Sequence, residues 1–205
     1  MNQINTGIRS ILSHPLVYDT LQNIMGVRKI RQEFVNEFIR PVEGQRILDI
    51  GCGTAELLEF LPDNITYIGY DPSQDYINHA IKRQKGNREF HCGFYGYDEA
   101  KSHMPFDVVI ASGVLHHMDD FQVAEMMRLV KDNLTEGGKL LTIDPVICSS
   151  QNPIARALIS LDRGQNVRSQ MQYTVLANTG FTQVKGQVRH RAWIPWTHWI
   201  MECSV

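Results

Sequence analysis

The sequence contains no apolar run that approaches the ~20 residues needed to span a bilayer. Near its start, Arg9 precedes a short apolar pair that Pro15 soon ends, which is too short and too polar for a secretory signal. The chain has 205 residues, of which 43% are hydrophobic and 20% charged. This composition is typical of a folded globular protein and disfavours disorder or a coiled coil. We therefore expect a soluble protein folded as one domain over residues 1–205.

The chain also has few cysteines and almost no net charge. The four cysteines form no C-x-x-C pair, which disfavours a disulfide framework or zinc knuckle and favours the reducing cytoplasm. Twenty basic residues against 22 acidic ones give a net charge of −2, so no overall positive field would attract nucleic acid. None of the eight histidines has H-x-x-x-H or H-x-H spacing. We expect no bound metal, no nucleic-acid partner and no membrane partner.

Between residues 44 and 145, short apolar segments alternate with amphipathic ones. Strands are predicted at 46–50, 67–70, 89–92, 106–111 and 139–143. Helices are predicted at 55–61, 75–85 and 121–134. Because parallel neighbouring strands need a crossover, this alternation predicts a doubly wound α/β fold with helices on both faces of a mostly parallel sheet.

The two ends of the chain differ from this core. Apolar residues at helical spacing predict two helices in residues 1–40, which we expect to form a helical lid over the ligand site. Beyond residue 145, helices are predicted at 153–161 and 173–179, and strands at 181–189 and 197–203. The short link between these strands favours antiparallel pairing. The chain would thus consist of a lid (1–40), a ligand-binding core (44–145) and an acceptor-side segment with C-terminal strands (146–205).

The most informative segment is the glycine turn at residues 47–55. Gly51 and Gly53 follow a strand directly, so the backbone can bend sharply at the sheet edge where doubly wound folds bind ligands. The third glycine of a dinucleotide-binding G-x-G-x-x-G is replaced by Glu56, and no Gly-Lys-Ser/Thr follows. Asp49, two residues earlier, would repel a pyrophosphate but suits a ligand with an ammonium group.

A second carboxylate completes the pattern. Asp71 comes twenty residues after Gly51, at the end of the second predicted strand, where an acidic residue can accept hydrogen bonds from both ribose hydroxyls. The ligand would contain a ribose and a cationic amino-acid portion but no pyrophosphate. S-adenosylmethionine fits this description.

Four ordered motifs closely resemble those of the class I, Rossmann-like S-adenosylmethionine-dependent methyltransferases of the small-molecule type. They cover about residues 44–145 and comprise Ile47 to Ala55, Tyr70 to Ser73, Phe106 to His117, and Leu134 to Ile143 with its Gly137-Gly138 turn. The resemblance implies S-adenosylmethionine as the cofactor, S-adenosylhomocysteine as its product, and a seven-stranded sheet whose last strand is antiparallel.

The resemblance also implies roles for individual residues. The methionine portion of the cofactor would be surrounded by Asp49, Gly51, Cys52 and Gly53, and Asp71 would bind the ribose. Pro72 and Ser73 would lie near the adenine. The pocket below the sulfonium would be lined by Ser112, Gly113 and Leu115. One departure is that Gly93-Phe94-Tyr95 stands where many members have an acidic residue for the adenine amino group. Stacking or a backbone hydrogen bond would take its place.

Candidate bases follow the fourth and fifth strands. His116, His117 and Asp144 are the catalytic candidates, because a hydroxyl acceptor needs a base. The alternatives are that the histidines pack or cap a helix and that Asp144 forms a turn. Residues proposed to bind substrate are Arg163 and Arg168 as a fork for an anionic group, Tyr18 from the lid and His198 from the last strand.

We expect an enzyme that methylates a small molecule, with a hydroxyl as the acceptor, because little chain lies outside the core. One alternative is methylation of protein or RNA, although the Asn/Asp-Pro-Pro-aromatic motif of many amino-group methyltransferases is absent and Ser112-Gly113-Val114-Leu115 stands there. Another is a non-catalytic module that binds the same cofactor. Enzymes with this fold methylate many kinds of acceptor, so the choice of a hydroxyl acceptor rests on analogy.

Overall fold

The computed structural model describes residues 26–160, 164–191 and 196–205. Its α-helices are α1 (Val27–Phe34), α2 (Gln74–Ala80), α3 (Tyr97–Ser102), α4 (Asp120–Asp132), α5 (Pro153–Ser160) and α6 (Gln170–Ala177). Its strands are β1 (Arg46–Ile50), β2 (Thr66–Asp71), β3 (Arg88–Cys92), β4 (Phe106–Ser112), β5 (Leu134–Ile147), β6 (Arg168–Ser169), β7 (Gln183–Arg191) and β8 (Trp196–Ser204). A π-helical turn covers Val35–Ile39, and 3₁₀ helices cover Glu56–Phe60, Ile81–Arg83 and Leu115–His117.

Seven of these strands form one sheet in the order β3-β2-β1-β4-β5-β8-β7, and β6 pairs separately with the end of β5. Strands β1 to β5 are parallel, whereas β8 runs antiparallel to both β5 and β7. The mostly parallel sheet with an antiparallel last strand is confirmed. Strand order reverses at β1, which lies between β2 and β4, so the ligand-binding edge is expected at their carboxyl ends.

Both faces of the sheet are covered. Leu48 belongs to the core cluster that α4 and α6 cover, and its neighbour Ile47 belongs to the cluster that α1 and the first 3₁₀ helix cover. Both side chains are fully buried. Because successive strand residues point to opposite faces, a strand buried on both sides reads as a continuous apolar run. This explains why the central strands were predictable.

Several elements differ from the prediction. The helix predicted at 55–61 is the 3₁₀ helix Glu56–Phe60, the helix predicted at 75–85 is divided into α2 and the 3₁₀ turn Ile81–Arg83, and β6 was not predicted. Helix α3 was not predicted, because it is six residues long and buries no side chain, so it lacks apolar periodicity. Strand β5 extends over 134–147 instead of 139–143, and its pairing with β4 shifts register between Phe106 and Val108. The glycines at 137 and 138 mark this irregular stretch of the strand.

The predicted lid lies mostly outside the described residues. Its described part is α1 with the π-helical turn, whose Phe34, Val35 and Ile39 are buried in the core. Within the described ranges, no helix is both long and apolar enough to cross a membrane.

Candidate cofactor and acceptor site

The turn after β1 depends on glycine. Gly51 and Gly53 have φ angles of 74° and 56°, which L-residues rarely adopt. A Cβ on Gly51 would also lie 2.5 Å from Cγ2 of Val114, which follows β4. The Gly51 N–H donates to the carbonyl of Tyr70 at 2.7 Å, so the turn is held against the end of β2. The sequence therefore folds here into a tight turn at the switch point of the sheet.

Asp71 joins the end of β2 to this turn. Its two carboxylate oxygens accept hydrogen bonds from the N–H of Gly53 at 3.0 Å and from the N–H of Ser73 at 2.8 Å. Burial raises the pKa of Asp71, and the two backbone donors oppose that rise. Each carboxylate oxygen can accept a further hydrogen bond. The side chain therefore fits the predicted contact with ribose hydroxyls.

Asp49 is 3% exposed and accepts a hydrogen bond from the hydroxyl of Tyr67 at 2.6 Å. Burial raises the pKa of Asp49 from its ordinary value near 3.8 to about 7, because the neutral hydroxyl only partly compensates for lost water. A cation placed beside this carboxylate would favour its ionised form. The site therefore fits the ammonium group of an amino-acid ligand.

A cavity of about 260 Å³ lies between the loop after β3 and α4, where the adenine is predicted to bind. Pro72 lines it on one side, and Phe94, Tyr97 and Phe121 contribute exposed aromatic rings. The cavity wall from the loop after β3 consists of glycines and aromatic residues, residues 93–97, without a carboxylate. Such a wall fits a flat ring by stacking, as the departure from the family pattern had led us to expect.

The remaining cofactor-side residues have clear local roles. Ser73 caps α2, accepting a hydrogen bond from the N–H of Tyr76. The Cys52 thiol packs against Gly69, since a Cβ added to Gly69 would lie 2.8 Å from the Cys52 Sγ. Burial raises the pKa of this thiol. After β4, Ser112 is exposed, Gly113 has a φ of 69°, and Leu115 is fully buried. Contact of these residues with the cofactor remains a prediction.

On the acceptor side, the structure brings two of the three catalytic candidates together. Nδ1 of His116 lies 2.7 Å from Oδ1 of Asp144, and the His116 backbone N–H donates to the same oxygen at 3.2 Å. Asp144 is 1% exposed. An ionised carboxylate only accepts hydrogen bonds, so this contact makes Nδ1 the donor and Nε2 the basic nitrogen of the ring. The pair has the geometry of an oriented general base.

Packing fixes the ring of His116 in place. A Cβ on Gly164 would lie 2.0 Å from its Cδ2, and one on Gly113 would lie 3.8 Å from its Cε1. The ring of His117 lies beside it, with the centroids 4.0 Å apart. The N–H of Asn166 donates to the His116 carbonyl at 3.0 Å, which holds the loop containing Gly164 against the histidine. Sequence reasoning missed Gly164, because this contact joins residues far apart in the chain.

Arg168 does not fit the predicted role of gripping a substrate anion. It is 5% exposed, and all three of its guanidinium nitrogens contact partners within the protein. Nε and Nη2 contact Asp120, Nη1 donates to the carbonyls of Leu115 and Asn166, and Nη2 also donates to the carbonyl of Met118. The guanidinium therefore holds together the segment that carries His116. Its proposed partner Arg163 and the lid residue Tyr18 lie outside the described residues.

His198 pairs with Pro145 across β5 and β8, next to the pair formed by Asp144 and Trp199. Successive strand residues face opposite sides, so His198 and Asp144 lie on opposite faces of the sheet. Burial, together with the charges of Arg191 and His116, lowers the pKa of His198 to about 4. A neutral histidine of such low pKa is a weak proton acceptor. His198 therefore does not suit proton abstraction, and its contact with substrate remains a prediction.

Among the described residues, no group of three or more histidine, cysteine or acidic side chains is placed to hold a metal ion. Independence from metals remains a prediction.

The glycine turn at the switch point, the two carboxylates around it and the antiparallel last strand are together typical of class I S-adenosylmethionine-dependent methyltransferases. Residues 48–140 match the family model for the methyltransferase domain. The fold agrees with that of the S-adenosylmethionine-dependent methyltransferase SibL in its apo form, with a TM-score of 0.70 and 15% identity over 96% of this chain and 61% of that one. The matched segment is thus a methyltransferase domain, and S-adenosylmethionine is its cofactor.

The similarity to named relatives covers only part of each relative's length. An uncharacterized methyltransferase of Staphylococcus carnosus is 30% identical over 120 residues, which cover 58% of this chain and 56% of the relative. A tRNA U34 carboxymethyltransferase of Shewanella frigidimarina is 32% identical over 134 residues, covering 63% of this chain and 39% of the relative. The similarity thus spans about half or less of these relatives.

Proposed function

We propose that the protein transfers the methyl group of S-adenosylmethionine to a hydroxyl of a small-molecule acceptor, with His116 as the general base and Asp144 as the residue that orients it. The observation that carries this proposal is the 2.7 Å contact between His116 Nδ1 and Asp144 at the carboxyl ends of β4 and β5. We also propose that it acts in the cytoplasm, in keeping with its four free cysteines.

For this reaction the protein needs to position the acceptor against the methyl group and to accept the hydroxyl proton. The cofactor supplies an electrophilic methyl group on a sulfonium sulfur. His116 Nε2 would take the hydroxyl proton as the oxygen attacks the methyl carbon in line with the breaking sulfur–carbon bond. Asp144 would hold the ring in the required tautomer and stabilise the imidazolium that forms. S-adenosylhomocysteine and the methyl ether leave, and the proton passes to water.

A second candidate acceptor is RNA. It is favoured by the similarity to a protein named as a tRNA U34 carboxymethyltransferase. The near-neutral net charge of −2 opposes it, because RNA binding draws most of its affinity from positive charge. The two candidates differ in salt dependence: RNA binding would weaken steeply as salt rises, whereas binding of a neutral metabolite would change little.

The experiment is an acceptor screen that measures release of S-adenosylhomocysteine from wild-type protein and from His116→Asn and His117→Ala. Asparagine keeps a donor near Asp144 but provides no base. We expect His116→Asn to lower kcat about 10²–10⁴-fold with unchanged affinity for S-adenosylhomocysteine, since general-base catalysis contributes that much. His117→Ala should stay within about fivefold, because Asp144 contacts the ring of His116 and the ring of His117 lies beside it.

Full activity of His116→Asn would contradict the assignment of the base. Turnover only with RNA, and binding that falls steeply with salt, would transfer the proposal to the second candidate. Absence of turnover across small molecules, RNA and proteins, with the cofactor still bound, would favour a non-catalytic module.

A further inference from the structure

Two side-chain nitrogens on the C-terminal strands are buried without a hydrogen-bond partner among the described residues. They are Nε of Arg191, at the end of β7, and Nδ1 of His198, in β8. Buried polar atoms in folded proteins are nearly always hydrogen-bonded, so two such atoms without partners mark a place where a further polar group binds.

Strand register places these two side chains next to each other. His198 pairs with Arg189 across β7 and β8, and Arg191 follows Arg189 by two residues. Side chains two residues apart on a strand share a face, so Arg191 and His198 are diagonal neighbours on one face of the sheet. The charge of Arg191 also contributes to the lowered pKa of His198. The two side chains can therefore contact one ligand together.

The charges around this pair suit an oxyanion. Arg191 forms an ion pair with Glu33 of α1 through Nη1, and Arg189 pairs in the same way with Glu37. The Nε of Arg191 is a separate donor, and a guanidinium has no acceptor. Since Glu33 balances the charge of Arg191, an added anion would be balanced by protonation of His198, which a neighbouring negative charge favours.

The pair lies at the same edge of the sheet as the proposed base. Because β8 runs antiparallel to β5, its first residues lie at the carboxyl end of β5, where His198 pairs with Pro145 beside Asp144. The charge of His116 also acts on His198. His198 and Asp144 approach the edge from opposite faces, so an acceptor lying across the edge would reach both His116 and the pair.

We propose that Arg191 and His198 bind a carboxylate of the acceptor, which makes the substrate a small hydroxy acid. The proposal deepens the proposed methyl transfer and rests on it for the ligand being the acceptor. The sequence had suggested Arg168 for such a role, but its guanidinium donates to backbone carbonyls. One carboxylate contact gives a far shallower salt dependence than RNA, so the two acceptor classes stay distinguishable.

The test uses acetate as the probe and acetamide as its neutral counterpart of the same shape. NMR would follow the imidazole of His198 and the Nε–H of Arg191 at pH 7 and constant ionic strength, with S-adenosylhomocysteine present. We expect acetate to shift both signals and acetamide to bind about tenfold more weakly or less, since hydrogen bonds between charged groups are the stronger ones. Bound acetate should also raise the pKa of His198.

Three variants separate the pair from its surroundings. Arg191→Gln and His198→Gln should each weaken acetate binding about threefold or more, because each removes one of the two contacts. Arg189→Gln is the matched control, since it removes an arginine of the same strand and face that also pairs with a glutamate of α1. It should leave acetate binding within about twofold. If Arg191→Gln does not fold, as judged by thermal melting, Arg191→Lys keeps the charge without the Nε donor and should also weaken acetate binding.

Absence of acetate binding would overturn the proposal, as would equal binding of acetate and acetamide or an equal loss in Arg189→Gln and Arg191→Gln. In the acceptor screen, hydroxy acids should have a KM about tenfold or more below that of their amides. Acetate binding at the pair without methyl transfer to any hydroxy acid would contradict the proposed function and leave an anion site. Methyl transfer without acetate binding would contradict the site alone.

Discussion

Asp49 and Asp144 make an instructive pair. Each lies at or near the carboxyl end of a central strand, and they are 3% and 1% exposed. Asp49 faces the neutral hydroxyl of Tyr67, and its pKa is raised to about 7, whereas Asp144 faces the imidazole and backbone N–H of His116. A buried carboxylate whose hydrogen-bond partner is neutral would be stabilised in its ionised form by a cationic ligand. A buried carboxylate that contacts an imidazole fixes the orientation of that ring.

The same contrast holds for the two halves of the site. The cofactor half is built from backbone: glycines at positive φ and a carboxylate that accepts two main-chain N–H bonds. The proposed acceptor half is built from side chains: His116 contacts Asp144, and Arg168 donates to the carbonyl of Leu115. We therefore expect substitutions in the two halves to separate cofactor affinity from turnover.

The largest expected effect comes from Asp144→Asn. The amide cannot hold His116 in the required tautomer or stabilise the imidazolium, so kcat should fall about 10³-fold. Affinity for S-adenosylhomocysteine should stay within about threefold of wild type, as measured by calorimetry. A parallel loss of cofactor affinity would show that the two halves are not separable.

Arg168→Ala should come next. Removing the guanidinium leaves buried carbonyls after β4 without donors, and we expect about 3 kcal/mol of lost stability in urea unfolding. Arg128→Ala, which breaks an exposed ion pair with Glu125, is the control and should cost about 0.5 kcal/mol or less. Unchanged stability with a raised substrate KM would instead support the substrate-binding role.

The raised pKa of Asp49 predicts a pH dependence in the cofactor half. Below about pH 7 the carboxyl is mostly protonated and cannot attract an ammonium, so affinity for S-adenosylhomocysteine should rise about fivefold between pH 6 and pH 7. Stability of the ligand-free protein should show the opposite trend. Because the folded pKa exceeds the unfolded one, stability is lost as pH rises from about 4 to about 7. Both trends should flatten in Asp49→Asn, and a slope that persists in this variant would contradict the assignment.

The smallest effect is expected at Ala55, which closes the glycine turn with a φ of 56°. A glycine there relieves about 1 kcal/mol of backbone strain but deletes a fully buried methyl group worth about 0.8 kcal/mol. Ala55→Gly should therefore unfold in urea within about 1 kcal/mol of wild type. Gly51→Ala, facing Val114, should be clearly destabilised, and equal stability of the two variants would contradict this account of the turn.

The sequence was informative where a local pattern determines structure. Apolar runs predicted the central strands, and Gly51 and Gly53 predicted a tight turn at the sheet edge, which the structure has. The cofactor contacts of Asp49 and Asp71 stay predictions. It was less informative where function depends on register and on contacts between distant segments. The pairing of β1 with β2 sets Tyr67 near Asp49, and the folding of residues 164–168 onto the segment after β4 makes Arg168 structural. Neither contact can be predicted from the spacing of neighbouring residues in the sequence.

The most direct test is a calorimetric titration of wild-type protein and Asp71→Ala with S-adenosylhomocysteine, with NAD as the control ligand. The account predicts micromolar binding to wild type, at least tenfold weaker binding to Asp71→Ala, and no heat with NAD, because Asp71 accepts hydrogen bonds from the ribose beside a turn that does not fit a pyrophosphate. Absence of binding to wild type at millimolar ligand would contradict it.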